Sequence, residues 1–257
     1  MIRQEQMTVI KQKALATNIF EMTLAGELVS LMGTPGQFVH IRVSGGFEPL
    51  LRRPISISSI NKDKGEFTII YRAEGKGTSI LSTKTPGDVV DVLGPLGNGF
   101  PVNIEGEKVF LIGGGIGVPP LYELSKQLRE VGVEPIHILG FQSSDVMFYE
   151  EEFNALGETY IATVDGTAGE KGFVTHIIDQ LPKEISHYYA CGPMPMLKAV
   201  SSKLAGIEGF LSFEERMGCG IGACFACVCK TNNQVDGRDY VKVCSDGPVF
   251  KAGVVEL

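Results

Sequence analysis

In the first hundred residues apolar and polar positions alternate in short runs, at 7–10, 19–24, 37–43, 55–58, 66–71 and 88–93. A period of two marks half-buried strands, and the glycine, proline and asparagine between the runs supply turns. One short helix is expected at 78–84, with Thr78 as its N-cap. Six short strands without βα alternation predict a small, closed, antiparallel β-barrel. After the breaker-rich segment Gly94-Pro-Leu-Gly-Asn-Gly the period changes. Apolar runs at 108–112, 135–141, 160–164, 187–191 and 209–214 read as strands. They alternate with helical patterns at 119–131, 148–156, 175–181 and 194–204. In the first of these helices Leu121, Leu124, Leu128 and Val131 form one stripe. The alternation predicts a parallel, doubly wound α/β sheet with helices on both faces. The remainder reads as a small C-terminal loop domain. The chain is therefore expected to be a multi-domain β plus α/β protein, divided into 1–99, 100–215 and 216–257.

Composition narrows the possibilities. With 257 residues and 44% hydrophobic content the chain can bury more than one core. A formal net charge of −7, without a basic run, argues against nucleic acid and against an anionic membrane surface. The longest weakly polar run, 109–121, is short and interrupted by glycine and proline, so no membrane span is expected. The start lacks an apolar targeting region, and cysteines left unpaired suit a reducing compartment, so a cytoplasmic location is expected.

Candidate chemistry is densest near the C-terminus. Residues 217–229, Met-Gly-Cys-Gly-Ile-Gly-Ala-Cys-Phe-Ala-Cys-Val-Cys, hold four of the six cysteines, and Cys244 follows. Cys219, Cys224, Cys227 and Cys244 have the C-x4-C-x2-C spacing, with a distant fourth, of plant-type [2Fe-2S] ligation. Gly218, Gly220, Gly222, Ala223 and Ala226 keep the loop thin, so its N–H groups can approach inorganic sulfide. A four-cysteine zinc site normally uses two C-x2-C knuckles, and only Cys224 and Cys227 form one. Cys229 is two residues beyond Cys227 and could replace it, but is expected to be a packed thiol.

Two further motifs concern nucleotides. Arg52-Arg53-Pro54-Ile55-Ser56 puts a guanidinium, a rigid turn and a hydroxyl at a strand entrance. It resembles the R-x-Y-S flavin motif of the ferredoxin–NADP reductase superfamily, in which the arginine pairs with the FAD pyrophosphate and the serine lies near the isoalloxazine. A guanidinium fork suits a phosphate. Ile55 stands where most of that superfamily has tyrosine, so Tyr71, in Ile70-Tyr71-Arg72, is the candidate aromatic face. Gly77 and Thr78, opening the short helix, offer N–H groups to the pyrophosphate. The glycine loop Gly113, Gly114, Gly115 and Gly117 sits where parallel sheets bind phosphates, between a strand and a helix. It is not a strict G-x-G-x-x-G, since Val118 occupies the last glycine position. It resembles the G-G-G-x-G-x-x-P loop of the same superfamily, whose C-G-P-x-x-M motif appears as Cys191, Gly192 and Pro193 followed by Met194-Pro-Met. By that resemblance Cys191 is the catalytic candidate, near the nicotinamide. No arginine cluster marks a 2′-phosphate pocket, which favours NAD over NADP. Glu214 and Glu215 end the last strand beside the expected flavin face and are expected to be solvated, and His40, His137, His176 and His187, scattered without metal spacing, to be structural.

Together these motifs cover the chain, and in that order they resemble the electron-transfer subunits of bacterial dihydroorotate dehydrogenase B. The resemblance implies FAD, a [2Fe-2S] cluster and NAD as cofactors. It also implies an FMN-containing catalytic subunit as partner, two of each in a heterotetramer, serving pyrimidine biosynthesis. Electrons would pass from the partner's FMN through the cluster and FAD to NAD+. The residues make independent sense of such a division. A cluster exchanges single electrons and a nicotinamide exchanges hydride, so a flavin has to mediate. No remaining set of His, Lys, Asp or Ser residues is suited to hold and deprotonate an organic substrate, so that compound must bind to another protein. Apolar Met217, Ile221 and Phe225 are the candidate docking tip. Two other readings stay open at this point. One is the small subunit of a sulfide dehydrogenase or of an NADH-dependent ferredoxin:NADP oxidoreductase, and the other a zinc-stabilised binding module.

Overall fold

The computed structural model describes residues 1–46 and 48–257. Strands β1 (Arg3–Ala16), β2 (Ile19–Ala25), β3 (Phe38–Arg42), β4 (Arg53–Asn61), β5 (Glu66–Arg72) and β6 (Val89–Leu96) close into an antiparallel barrel in the order β1-β2-β5-β4-β3-β6. The alternation puts Val39 and Ile41 of β3, Ile57 of β4 and Phe67 and Ile69 of β5 into its interior. Strand β1 extends beyond the run 7–10 because it serves two neighbours. Residues Arg3 to Thr8 pair with β6, and Thr8 to Ala16 pair with β2. Register shifts between Val9 and Lys11 and between Ala14 and Ala16 bend it and break its alternation.

Helix α1 (Lys76–Leu81) corrects one expectation: Gly75, in extended conformation, is the N-cap, and Thr78 is the third helical residue. Thr78 Oγ1 still serves the helix start, accepting the Gly75 N–H at 3.2 Å. A hydroxyl there satisfies an N–H from inside the first turn rather than from before it.

The second layer system contains β7 (Lys108–Gly114), α2 (Pro119–Glu130), β8 (Glu134–Phe141), α3 (Glu150–Asn154), β9 (Thr159–Thr163), β10 (Glu170–Lys171), α4 (Val174–Gln180), β11 (His187–Cys191), α5 (Met194–Lys203) and β12 (Glu208–Ser212). A hairpin of β13 (Val228–Val235) and β14 (Arg238–Lys242) follows, and then β15 (Val249–Lys251). The sheet order is β10-β9-β8-β7-β11-β12-β15, parallel except for β15, which returns antiparallel to β12. Strand order reverses between β7 and β11, the point at which such sheets leave a crevice at their carboxyl ends. On α2 the buried stripe is Leu121, Leu124 and Leu128; Val131, expected in it, lies just past the helix end and is exposed.

Three contacts fix the parts. The buried Glu123 carboxylate on α2 accepts the Ile60 N–H of β4 at 2.9 Å and pairs with Lys126 at 2.6 Å. The Tyr149 hydroxyl donates to Glu21 of β2 at 2.6 Å. Asn98, after β6, donates its N–H to the Gly247 carbonyl at 2.7 Å and its side-chain amide to the Ser245 and Asp246 carbonyls. Among the described residues no helix is long and apolar enough to cross a membrane.

Candidate functional site

A cleft of about 260 Å³ opens where barrel, sheet and cysteine loop meet. Seven of the residues expected to hold a cofactor line it: Pro54, Ile55 and Ser56 from β4, Ile70, Tyr71 and Arg72 from β5, and Thr78 from α1. Opposite them stand Ile116 of the glycine loop and Ser212 to Glu215 at the end of β12, with Met217 and Pro248 closing the side toward the cysteines. Tyr71 is only 2% exposed. Phe20 stacks on it at 6.0 Å between centroids, and its hydroxyl accepts from Gln12 at 2.7 Å. Loss of water around this phenol pushes its pKa up to about 12. The ring is thus a fixed part of the barrel wall.

Arg53 and Gly77, distant in sequence, are in contact: a Cβ on Gly77 would overlap the Arg53 guanidinium. Glycine at 77 lets that guanidinium lie against the start of α1 beside Thr78. Arg53 Nη1 donates to the Leu51 carbonyl at 2.7 Å, which steadies the fork. A cationic fork beside a largely apolar cleft with hydroxyls at Ser56, Thr78 and Ser212 fits a dinucleotide flavin.

The glycine loop and the Cys191 turn also prove to be one structure. A Cβ on Gly117 would overlap the Cys191 carbonyl, and one on Gly114 would lie 2.5 Å from Met196 Sδ and 3.1 Å from Pro193. A Cβ on Gly113 would meet Val118 at 2.8 Å, whereas one on Gly115 would have only Arg72 near it, at 3.6 Å. Gly192 packs against Gly114 in the same way. Both segments end neighbouring strands at the switch point, so they form one continuous floor at the carboxyl end of the sheet. Cys191 is 1% exposed and is not in the cleft wall. Burial pushes its thiol well up, reinforced by the Glu214 charge and opposed by a hydrogen bond with Ser212. Ser212 and Glu214 do border the cleft. Glu214 is open to it by surface area yet densely surrounded; loss of water raises its carboxyl above the ordinary 4.5, with Arg72 pulling the other way. The position beside the cleft is the one expected from where β12 ends; what differs from a merely solvated glutamate is the loss of water around its carboxyl.

The cysteine loop runs between β12 and β13 without a regular element. Gly220 and Gly222 have φ of +73° and +79°, which glycine adopts without strain. These turns bring Gly222 against Cys244. No three ligating side chains among the described residues converge as a single-ion site would require. Backbone donors face the sulfurs, with the Cys224 N–H 3.3 Å from Cys219 Sγ and the Gly222 N–H 3.2 Å from Cys244 Sγ. Burial acts to raise the Cys219 pKa, but the N–H groups of Ile221, Cys224 and Ala223 outweigh it and bring it to about 7. Four thiols, two of them with N–H groups directed at the sulfur, fit an iron–sulfur cluster. Lys242 holds the loop from behind, donating to the Gly222 carbonyl at 2.7 Å and lying 4.3 Å from the Phe225 ring centre. Cys229 faces away, toward Glu215 at 3.9 Å.

Of the three residues expected at the tip, Ile221 and Phe225 are 50% and 61% exposed. Met217 is not with them: it is half-buried and lines the cleft, because the chain leaving β12 crosses the barrel mouth before it turns. His137 is structural, between Ser125 Oγ at 2.7 Å and Thr159 Oγ1 at 3.0 Å. His40 is fully buried against Gly220, a juxtaposition with no sequence signal.

Family models match the three parts in turn: an oxidoreductase FAD-binding domain over residues 6–100, an oxidoreductase NAD-binding domain over 111–202, and the iron–sulfur cluster binding domain of dihydroorotate dehydrogenase B over 214–256. The chain is 64% identical, over the full length of both proteins, to the dihydroorotate dehydrogenase B (NAD(+)) electron transfer subunit of Lysinibacillus sphaericus, and 56% identical to that of Bacillus mycoides, again over both full lengths. Among solved structures, an NADH-dependent reduced ferredoxin–NADP oxidoreductase matches 98% of this chain and 90% of its own, with a TM-score of 0.87 and 30% identity. The cytochrome b5 reductase domain of Ulva prolifera nitrate reductase shares the fold at 19% identity, with a TM-score of 0.66 over 82% of this chain and 97% of its own. The higher identity, carried through all three parts, favours the first kinship over the ferredoxin–NADP oxidoreductase alternative, and the FAD and iron–sulfur domains exclude a zinc-stabilised module. The chain belongs to the family of dihydroorotate dehydrogenase B (NAD(+)) electron transfer subunits.

Proposed function

We propose that this chain carries electrons from dihydroorotate, oxidised on a separate FMN-containing subunit, to NAD+, in a cytoplasmic complex of two copies of each subunit. The observation that carries the proposal is the three-sided cleft. Ser56 of the barrel, Glu214 of the sheet and Met217, two residues before Cys219, border one space of about 260 Å³. A flavin bound there supplies the conversion between hydride and single-electron transfer.

The chain's own residues divide the remaining work. Arg53, packed on Gly77 beside Thr78, holds a pyrophosphate, and Pro54, Ile55, Ser56, Ile70 and Tyr71 form the wall against which the flavin ring is aligned. Arg72 reaches toward the Gly115 turn and balances Glu214. The floor formed by Gly113, Gly114, Gly115, Gly117, Gly192 and Pro193 receives the nicotinamide dinucleotide. Cys191 acts there by fixing Ser212 and the end of β12 from a buried position. Cys219, Cys224, Cys227 and Cys244 hold the cluster at the edge of the barrel, and Ile221 and Phe225 meet the partner. The domain borders proposed are 99/100 and 215/216, with β15 completing the sheet from the third part.

Anaerobic titration of the isolated chain with NADH tests this reading. Bleaching of flavin bands followed by the broader iron–sulfur absorption is expected. A chain that binds no flavin, or whose iron–sulfur absorption never responds to NADH, contradicts it.

A further inference from the structure

Strand β3 touches both redox sites. Val39 and Ile41 point into the barrel, so Phe38 and His40 share its outer face. Phe38 lines the cleft. His40, two residues along, has no exposed surface, although no barrel element lies outside it; the cysteine loop covers it. A Cβ on Gly220 would sit 2.6 Å from His40 Nδ1, so glycine at 220 lets the loop lie directly on the imidazole. Among the described residues neither ring nitrogen has a hydrogen-bond partner. The carbonyls of Arg52 and Cys219 are nearest, short of hydrogen-bond geometry. Every tautomer of imidazole carries at least one N–H, and an N–H buried without an acceptor is destabilising. A molecule that needed only packing here would use leucine. The loop instead seats a donor against Gly220, the residue next to the proposed ligand Cys219.

We propose that His40 donates its N–H into the sulfur shell of the cluster at Cys219, so that a barrel strand, and not only the cysteine loop, sets the cluster's redox poise. A donor to cluster sulfur favours the more negative, reduced state, so its removal lowers the potential. His40 is in this sense a positioning residue, placed on the same strand face as the flavin-lining Phe38. The inference rests on the assignment of the cluster to Cys219, Cys224, Cys227 and Cys244.

The test uses the whole chain with its cofactors, grown with histidine carrying ¹⁵N only in the ring and reduced for pulsed electron paramagnetic resonance. A ring-¹⁵N coupling to the cluster signal is expected in the native chain and should vanish in His40→Leu. Potentiometry adds a second readout. In His40→Leu the cluster's reduction equilibrium should fall about tenfold, which is 59 mV for one electron. His40→Asn, which keeps an N–H donor near the Nδ1 position, should recover most of that loss. A cluster signal without ring-¹⁵N coupling in the native chain overturns the inference, even if His40→Leu fails to assemble. An unchanged potential in a fully loaded His40→Leu overturns it too. Absence of any cluster signal in the native chain would instead overturn the assignment of the cysteines.

Discussion

The Cys224 N–H donates to Cys219 Sγ within a single loop, so loss of either thiol removes a ligand from a connected part of the proposed cluster site. Cys219→Ser and Cys224→Ser are each expected to lose the iron, measured as iron per chain. Their FAD content and NADH oxidation by artificial acceptors should persist, because the barrel core around Val39, Ile57 and Ile69 contains no residue of the loop. Loss of FAD together with iron would contradict the proposed division of sites. Arg53 makes the complementary case. If its guanidinium holds the pyrophosphate, Arg53→Ala removes charge-assisted bonds worth about 1.5–3 kcal/mol, and FAD affinity should fall roughly 10- to 100-fold. Equilibrium dialysis of FAD checks this, and an unchanged affinity removes Arg53 from the site. At this scale the sequence is most informative where ligands are close together along the chain. The cysteine spacing and Arg53-Pro-Ile-Ser56 are readable because a local loop fixes their geometry. His40 is not readable, because what matters is which distant segment folds over it.

Strand and helix positions follow from periodicity wherever an element has one buried and one solvated side. The central strands β7, β8 and β11 are legible as apolar runs, and the stripe on α2 places that helix. The reading fails where tertiary pairing decides. β15 is three residues long and becomes a strand only because β12 offers it an edge, and β1 loses its alternation at its register shifts. One element junction carries a pH dependence. His137 of β8 bridges α2 and β9, and burial lowers its pKa from 6.5 to about 4, only partly offset by the Glu158 and Gly157 backbone. Because the folded pKa is depressed, the unfolded chain takes up a proton first as pH falls. Stability should therefore be intact above about pH 6.5 and decline toward pH 4 by roughly 1.4 kcal/mol per unit from this group. Urea unfolding at a series of pH values checks it, and His137→Gln should lose that part of the slope. An identical slope in the variant would show that His137 does not titrate on unfolding.

At the scale of the whole molecule, the interfaces hold three pieces of chemistry in line. Glu123 and Tyr149 tie the sheet to the barrel, and Asn98 ties the segment after β14 to the end of β6. The cleft consequently has a wall from each part, with the nucleotide floor on one side and the cysteine loop on the other. Such a chain is arranged to conduct electrons. The direct measurement is NADH formation from dihydroorotate and NAD+ by the isolated chain, by its separately purified catalytic partner, and by the two reassembled. Activity is expected only from the reassembled pair. NADH formation by this chain alone, or none from a pair in which both subunits carry their cofactors, would contradict the account.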